Sequence, residues 1–347
     1  MAALTVAAPP VVRAVAWQRL GWVAWRRYRT TLIATVGTLG LVGLYLLVNG
    51  LHIHSDYNAW RSCVPRNSAA CNFRLNNFQN AYGSSGLFGF IQVMAPGLVG
   101  AFAGAPLLAR ELETGTFRYA WTQGVSRTRW ALATVIPGLV GTVVITAAFG
   151  MLVAWRNQPL VATGIALKMD GSLFPTVAPA AIGWGLLGFS LGLLAGLLWR
   201  RVVPALATTI VGWFGLATAA SLGLRKHYLT PLVTDKLQIN STALTVSQWW
   251  TKDGHTVKVS VAQLNHVLQG AGVQTFDSNG TSHVQVAPGS GPVDPVQYLM
   301  SHGYAQWTSY QPASRYTAFQ WIEFGWLMVL SLLLIGATFW LVRRRGA

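Results

Sequence analysis

Acidic residues are scarce. The 347 residues hold nine Asp and Glu, and charged residues of every kind make up only 10%. A soluble domain carries about 25% charged residues. So few ionic groups cannot cover a water-facing surface, so an ordinary soluble protein is excluded. Lysine is scarce as well, five against twenty arginines, and none of the five follows a glycine. A phosphate-binding P-loop needs Gly-Lys followed by Ser or Thr. The chain carries no such ATP site, so energy for active transport would have to come from a partner. The start, "MAALTVAAPPVVRAVAW", lacks an early charged region, and Pro9–Pro10 interrupts its apolar run, which reads against a signal peptide. A nucleophile-elbow motif and zinc-helix spacing are also missing, which leaves hydrolytic chemistry without a sequence basis.

What is abundant is apolar. Hydrophobic residues make up 52% and the mean hydropathy is +0.42. A helix needs roughly 20 apolar residues to cross a bilayer. Six stretches meet that requirement, at 31–50, 86–109, 131–154, 176–199, 202–224 and 319–342. The formal net charge of +16 would point to nucleic acid in a soluble chain, but here it is read by position. Arg13, Arg19, Arg26, Arg27 and Arg29 precede the first stretch, and Arg343, Arg344 and Arg345 follow the last. Arg200 and Arg201 mark a tight turn between the fourth and fifth, with Pro204 tolerated just inside the next helix. The positive-inside rule places all of these, and both termini, in the cytoplasm. Asp56, Asp170, Asp235, Asp253, Asp277 and Asp294 then fall outside. Residues 1–30 read as a basic segment with an interfacial helix bearing Trp17, Trp22 and Trp25, or else as a disordered basic tail.

Two outer segments are substantial. The first, 51–85, reads as a loop holding both cysteines, Cys63 and Cys71. Eight positions apart on an oxidising face, they form either a small disulfide loop or two unrelated thiols. The second, 225–318, reads as a small α+β domain. "SQWWTKDGHTVKVS" carries a hairpin signal at Asp253–Gly254, and "TFDSNGTSHVQV" carries another at Asn279–Gly280. Helix starts are read at Ser260 and Asp294. His255, His266, His283 and His302 occur there, without spacing that makes a metal site or triad.

Within the spans, Gly188, Gly192 and Gly196 recur every four residues, and so do Gly100 and Gly104. Small residues at that spacing let helices approach closely in lipid. Glu323 and Gln320 share one face of the last span, and Gln92 sits in the second. A carboxylate at membrane depth is costly and faces a cavity or a partner. These three are candidates for a substrate path; the alternative for Glu323 is a structural bond to a neighbouring helix. The cytoplasmic connection 110–130, "RELETGTFRYAWTQGVSRTRW", is polar and aromatic. Glu111 and Glu113 open it, Thr114–Gly115–Thr116 can turn the chain, and Phe117, Arg118, Tyr119 and Trp121 offer interface-type contacts. It reads as a docking element, or as an interfacial helix against lipid headgroups.

"LLARELETGTFRYAWTQGVSRTRW" resembles the cytoplasmic loop of ATP-binding-cassette (ABC) exporter permeases of the second type, especially actinobacterial members. The closing "YQPASRYTAFQWIEFGWLMVLSLLLIGATFWLVRRR" is also similar to that group. The resemblance implies an all-α polytopic membrane protein with six transmembrane helices, and coupling to a separate ABC ATPase. Glu111, Glu113, Thr114, Gly115, Thr116 and Arg118 would be the coupling residues. ATP and Mg would be bound by the ATPase, with no cofactor in this chain. Six spans would pair with a second copy to complete a twelve-span pathway, embedded among membrane lipids, with no nucleic-acid partner. The cargo would be amphipathic or lipophilic, as in multidrug efflux. Two other readings remain open at this stage: a membrane-anchored enzyme, or a ligand-sensing scaffold, with its site in 225–318.

Overall fold

The computed structural model describes residues 17–83, 86–115, 127–235, 243–257, 273–274, 285–286, 299–300 and 303–344. It divides into two compact units, one holding residues up to Arg225 together with Tyr316 onward, the other Lys226–Arg315.

The first unit is helical. Helix α1 runs Trp17–Arg61, α2 Ala69–Tyr82, α3 Gly86–Glu113, α4 Arg127–Ala162, α5 Ala180–Trp199, α6 Val202–Ala219 and α7 Tyr316–Arg344. Among the described residues, five helices are long and apolar enough to cross a membrane: Gly89–Glu113, Thr128–Ala162, Ala180–Trp199, Val202–His227 and Ala313–Arg344. The expected first span, 31–50, falls in α1, most of whose side chains before Gly40 lie outside the description.

Helix α5 is the centre. Ala180, Trp184, Leu187, Phe189 and Leu193 on it are fully buried, which suits a helix that is apolar all round. It lies parallel to α3, and the two glycine rows meet. A Cβ on Gly100 would collide with the Gly185 carbonyl, and one on Gly104 with the Phe189 carbonyl. A Cβ on Gly192 would stand 2.6 Å from the Ala105 amide nitrogen. The missing side chains are what let the backbones approach. Towards the Trp199 end, Leu108, Trp130, Val135, Phe189, Leu193 and Val342 close one core cluster. Pro96 and Pro106 lie inside α3, and Pro137 and Pro159 inside α4. Neighbouring helices make such prolines tolerable in lipid.

The segment 51–85 is not a loop. Helix α1 continues to Arg61, and α2 follows. Residues 51–61 contain no Gly or Pro, and Leu46, Gly50, Ile53, Tyr57 and Trp60 recur at helical spacing. Ile53 joins Phe78 and Leu160 in a core cluster. Gly50 makes room for the Trp155 ring, which stacks on His54 at 4.7 Å. Cys63 and Cys71 are bonded as a disulfide between the end of α1 and the start of α2. The Tyr82 hydroxyl donates to Asp56 Oδ2 at 2.7 Å. Other boundaries shift too: α3 extends past 109 to Glu113, α4 covers 127–162, and α5 starts at 180 because Phe174–Thr176 forms a 3-10 turn.

The second unit contains an antiparallel sheet of β1 (Leu232–Thr234), β2 (Leu244–Lys252), β3 (His255–Val257) and β6 (Tyr304–Gln311), in the order β1-β6-β2-β3. Asp253 and Gly254 have φ of 48° and 79°, which puts two left-handed residues between β2 and β3. That geometry matches the right-handed twist of a two-residue hairpin. A short pair, β4 (Val273–Gln274) with β5 (Gln285–Val286), flanks the Asn279–Gly280 signal, which itself lies outside the described residues. So do the helix starts at Ser260 and Asp294.

Candidate functional site

The polar residues of the membrane unit gather where α5 and α7 begin and α6 ends. Helix α6 buries Ala205, Thr209, Trp213 and Ala220, a spacing that points next to position 224. The backbone instead opens into a π turn over Ala220–Leu224 and then tightens into a 3-10 turn over Arg225–His227. The extra residue rotates the inward position by one. Leu224 is 53% exposed and Arg225 only 3%. Single π turns of this kind recur at functional sites.

Arg225 meets Glu323 of α7 as a fork. Arg225 Nε donates to Oε2 at 3.0 Å and Nη2 donates to Oε1 at 2.9 Å. The Trp184 indole N–H donates to the same Oε1 at 2.7 Å. The guanidinium also lies over the Phe174 ring, 4.3 Å from its centre. Two parallel bonds between planar groups are the strong form of this pairing. Burying both charges is tolerable only because each is answered.

Gln320 lies one helical turn before Glu323. Its Oε1 accepts the Ala180 amide at 3.0 Å, and its Nε2 donates to the Phe174 carbonyl at 2.9 Å. The first amides of a helix have no partner within it. Pro179, at the N-cap of α5, contributes no side-chain bond, and Gln320 supplies one to Ala180 from another helix. Gln92 Nε2 donates to Thr176 Oγ1 at 3.4 Å. The three residues nominated for a substrate path are therefore gathered around one turn, each bonded inside the bundle. Sequence reading missed Arg225, placing it at the edge of the outer domain. The available signal was a lone arginine closing an apolar run, within reach of a lone glutamate.

Beside this centre is a cleft of about 270 Å³. Phe90 and Met94 of α3, Trp184 of α5, Trp213 and Phe214 of α6, and Arg225 contribute to its lining. Trp184 and Trp213 stand edge to face, ring centres 5.4 Å apart.

The other end of the bundle holds the start of the 110–130 connection. Glu111 is 4% exposed in the last turns of α3. Glu113 is exposed, and its Oε2 accepts the Val202 amide at 3.3 Å. It thereby places a negative charge at the start of α6, the favourable end of the helix dipole. Thr114 donates its hydroxyl back to the Arg110 carbonyl at 2.8 Å. Gly115 has φ of 68°, the left-handed conformation that ends a helix at little cost in a glycine. Thr116, Phe117, Arg118, Tyr119 and Trp121 lie outside the described residues. Among the described residues, no three His, Cys, Asp or Glu side chains converge on a metal position.

Long apolar helices with their polar side chains bonded inward define a polytopic, mostly helical protein embedded in a membrane. The sequence model of a family described as ABC-2 membrane transporter related matches residues 36–225, more than half of the chain. The chain belongs to that family, as an ABC-2-like permease. The match stops at Arg225, the last residue before the second compact unit begins. No curated protein and no solved structure matches the chain.

Proposed function

We propose that this chain is the membrane-spanning subunit of an ABC exporter, driven by ATP that a separate ATPase hydrolyses with Mg. The family match over 36–225 carries the reading. The missing Gly-Lys pair supports the division of labour. Six spans are proposed, with α1 as the first. It packs along α4 through Leu46 and Val153, and Ile53 and Leu160, in the same direction. Its 45 residues reach about 67 Å at 1.5 Å per residue, enough to cross a bilayer and continue beyond it.

Arg110, Arg200, Arg201, Arg343 and Arg344 belong to helix ends on one side of the bundle. The positive-inside rule makes that side cytoplasmic. The disulfide and the 226–315 unit then face outward, where thiols are oxidised. The ATPase would dock on 110–130, with Glu111, Glu113, Thr114, Gly115, Thr116 and Arg118 as coupling residues. Glu113 touches the start of α6, so motion of the connection has a direct route into that helix. Two copies would form the pathway. The cargo would be amphipathic or lipophilic, since the spans offer few charges.

Co-purification tests the reading. The tagged chain, solubilised in mild detergent, is expected to bring an ATPase subunit at a one-to-one ratio, identified by mass spectrometry. Recovery of the chain with no ATPase counts against it.

A further inference from the structure

The cleft beside Arg225 has a mixed character. Its walls are aromatic and aliphatic, with Phe90, Met94, Trp184, Trp213 and Phe214 among them. Both indole N–H groups are already committed. Trp184 donates to Glu323, and Trp213 donates to the Trp184 carbonyl at 3.0 Å. The Ser221 hydroxyl donates to the Thr218 carbonyl, and that of Ser172 to Asp170. Arg225 is different. Its Nε and Nη2 are taken by Glu323, while Nη1 has no hydrogen-bond partner among the described residues. Arg225 lines the cleft, and Nη1 is the guanidinium nitrogen that Glu323 does not hold. A side chain 97% withdrawn from solvent thus lines the cleft with one guanidinium nitrogen outside its ion pair.

Charge narrows the occupant. Arg225 and Glu323 sum to zero. An anion on Nη1 would lie close to the Glu323 carboxylate and leave the site with a net negative charge in a low-dielectric surround. A cation would face the guanidinium, and the Glu323 oxygens already hold three donors. A neutral oxygen acceptor has neither penalty. Aromatic walls with a few placed polar groups are the usual make-up of a small-molecule site, and the Thr218 side chain joins Arg225 in the lining.

We propose that this cleft binds a small, neutral, ring-bearing molecule through a carbonyl or ether oxygen on Arg225 Nη1. That the occupant is cargo rests on the exporter reading; the binding itself rests on the cleft.

Benzophenone is a suitable probe, being neutral, aromatic, carbonyl-bearing and photoreactive. Its 4-carboxylate and 4-aminomethyl derivatives supply an anion and a cation on the same scaffold. The purified full chain in detergent would be irradiated with each, and the labelled peptides mapped by mass spectrometry. Benzophenone should label the segments around Phe90–Met94 and Trp213–Ser221 saturably, and both charged derivatives should label them less. Ala217→Trp fills the cleft without touching the ion pair, and should abolish this labelling. The double variant Arg225→Met with Glu323→Met removes the donor while keeping neutrality, and should weaken binding by about tenfold, the worth of one hydrogen bond. Labelling that never saturates, or that Ala217→Trp leaves unchanged, overturns the site. Preference for the carboxylate overturns the neutral class. Saturable labelling in a chain that brings no ATPase sustains the cleft and removes only the exporter reading.

Discussion

Arg225 and Glu323 stand 98 positions apart in the chain and join through two hydrogen bonds of 3.0 and 2.9 Å inside the helical unit. One lies in the 3-10 turn beyond α6, the other near the start of α7.

Removing one partner leaves the other as an uncompensated buried charge, which costs about 3–5 kcal/mol. Glu323→Gln should therefore lower the thermal unfolding temperature sharply. The double variant Arg225→Met with Glu323→Met should recover most of the loss, because buried pairs exchange for apolar residues at little net cost. Melting curves of the three proteins in detergent decide it. A single variant as stable as the parent would show that the pair contributes no stability.

The α3–α5 contact depends on absent side chains. Gly104→Ala sets a methyl group against the Phe189 carbonyl and should destabilise by about 1–3 kcal/mol. Gly212→Ala has nothing within 4 Å and should be neutral or slightly stabilising. Equal melting temperatures for the two variants would contradict the close approach.

Glu113 and Gly115 join the connection to the helices. Glu113→Ala removes the cap on Val202 and should cost at most about 1 kcal/mol, since the carboxylate is exposed. Gly115→Ala strains a left-handed position. Under the exporter reading both should uncouple ATP hydrolysis from transport while membrane insertion persists. Vesicle transport per ATP hydrolysed is the readout, and unchanged coupling in both variants would count against the assignment.

Reducing the Cys63–Cys71 bond reopens an eight-residue loop between α1 and α2. The chain-entropy estimate puts its worth at about 2.5 kcal/mol. Thiol alkylation before and after reduction should label neither cysteine, then both. Labelling without reductant would show the bond is absent.

Tyr82 carries a pH signature. Its phenol is pushed up to about 12, first by burial and then by its bond to Asp56. The folded state thus favours the neutral phenol. Its contribution is fully present below the ordinary tyrosine range near 10, and fades as pH rises through about 12. An ultraviolet phenolate titration of the parent minus Tyr82→Phe should isolate this late transition. Asp56→Asn should move it to lower pH.

Much of the helical architecture was legible because it is local. Apolar runs between arginines mark helices wherever lipid forbids unpaired backbone. Asp253–Gly254 announced a hairpin because so few residue pairs accept two positive φ values. Gly188, Gly192 and Gly196 announced a close contact, and the structure supplied the partner row at Gly100 and Gly104. The segment after residue 50 misled because its polar residues read as a loop, although Ile53, Tyr57 and Trp60 kept the helical period.

The polar centre was only half legible. Glu323, Gln320 and Gln92 stood out as costly residues in apolar stretches, and that cost is a property of the residue itself. Which groups answer them is not. Gln320 reaches the Ala180 amide across 140 positions, and Glu323 reaches Trp184 across 139. The sequence by itself determined that this chain enters a membrane and roughly where its long apolar helices run, because hydropathy and backbone satisfaction act over a few residues. Tertiary structure alone decided that a π turn brings Arg225 inward onto Glu323, because that register follows from packing α6 against α3 and α5 rather than from any local period.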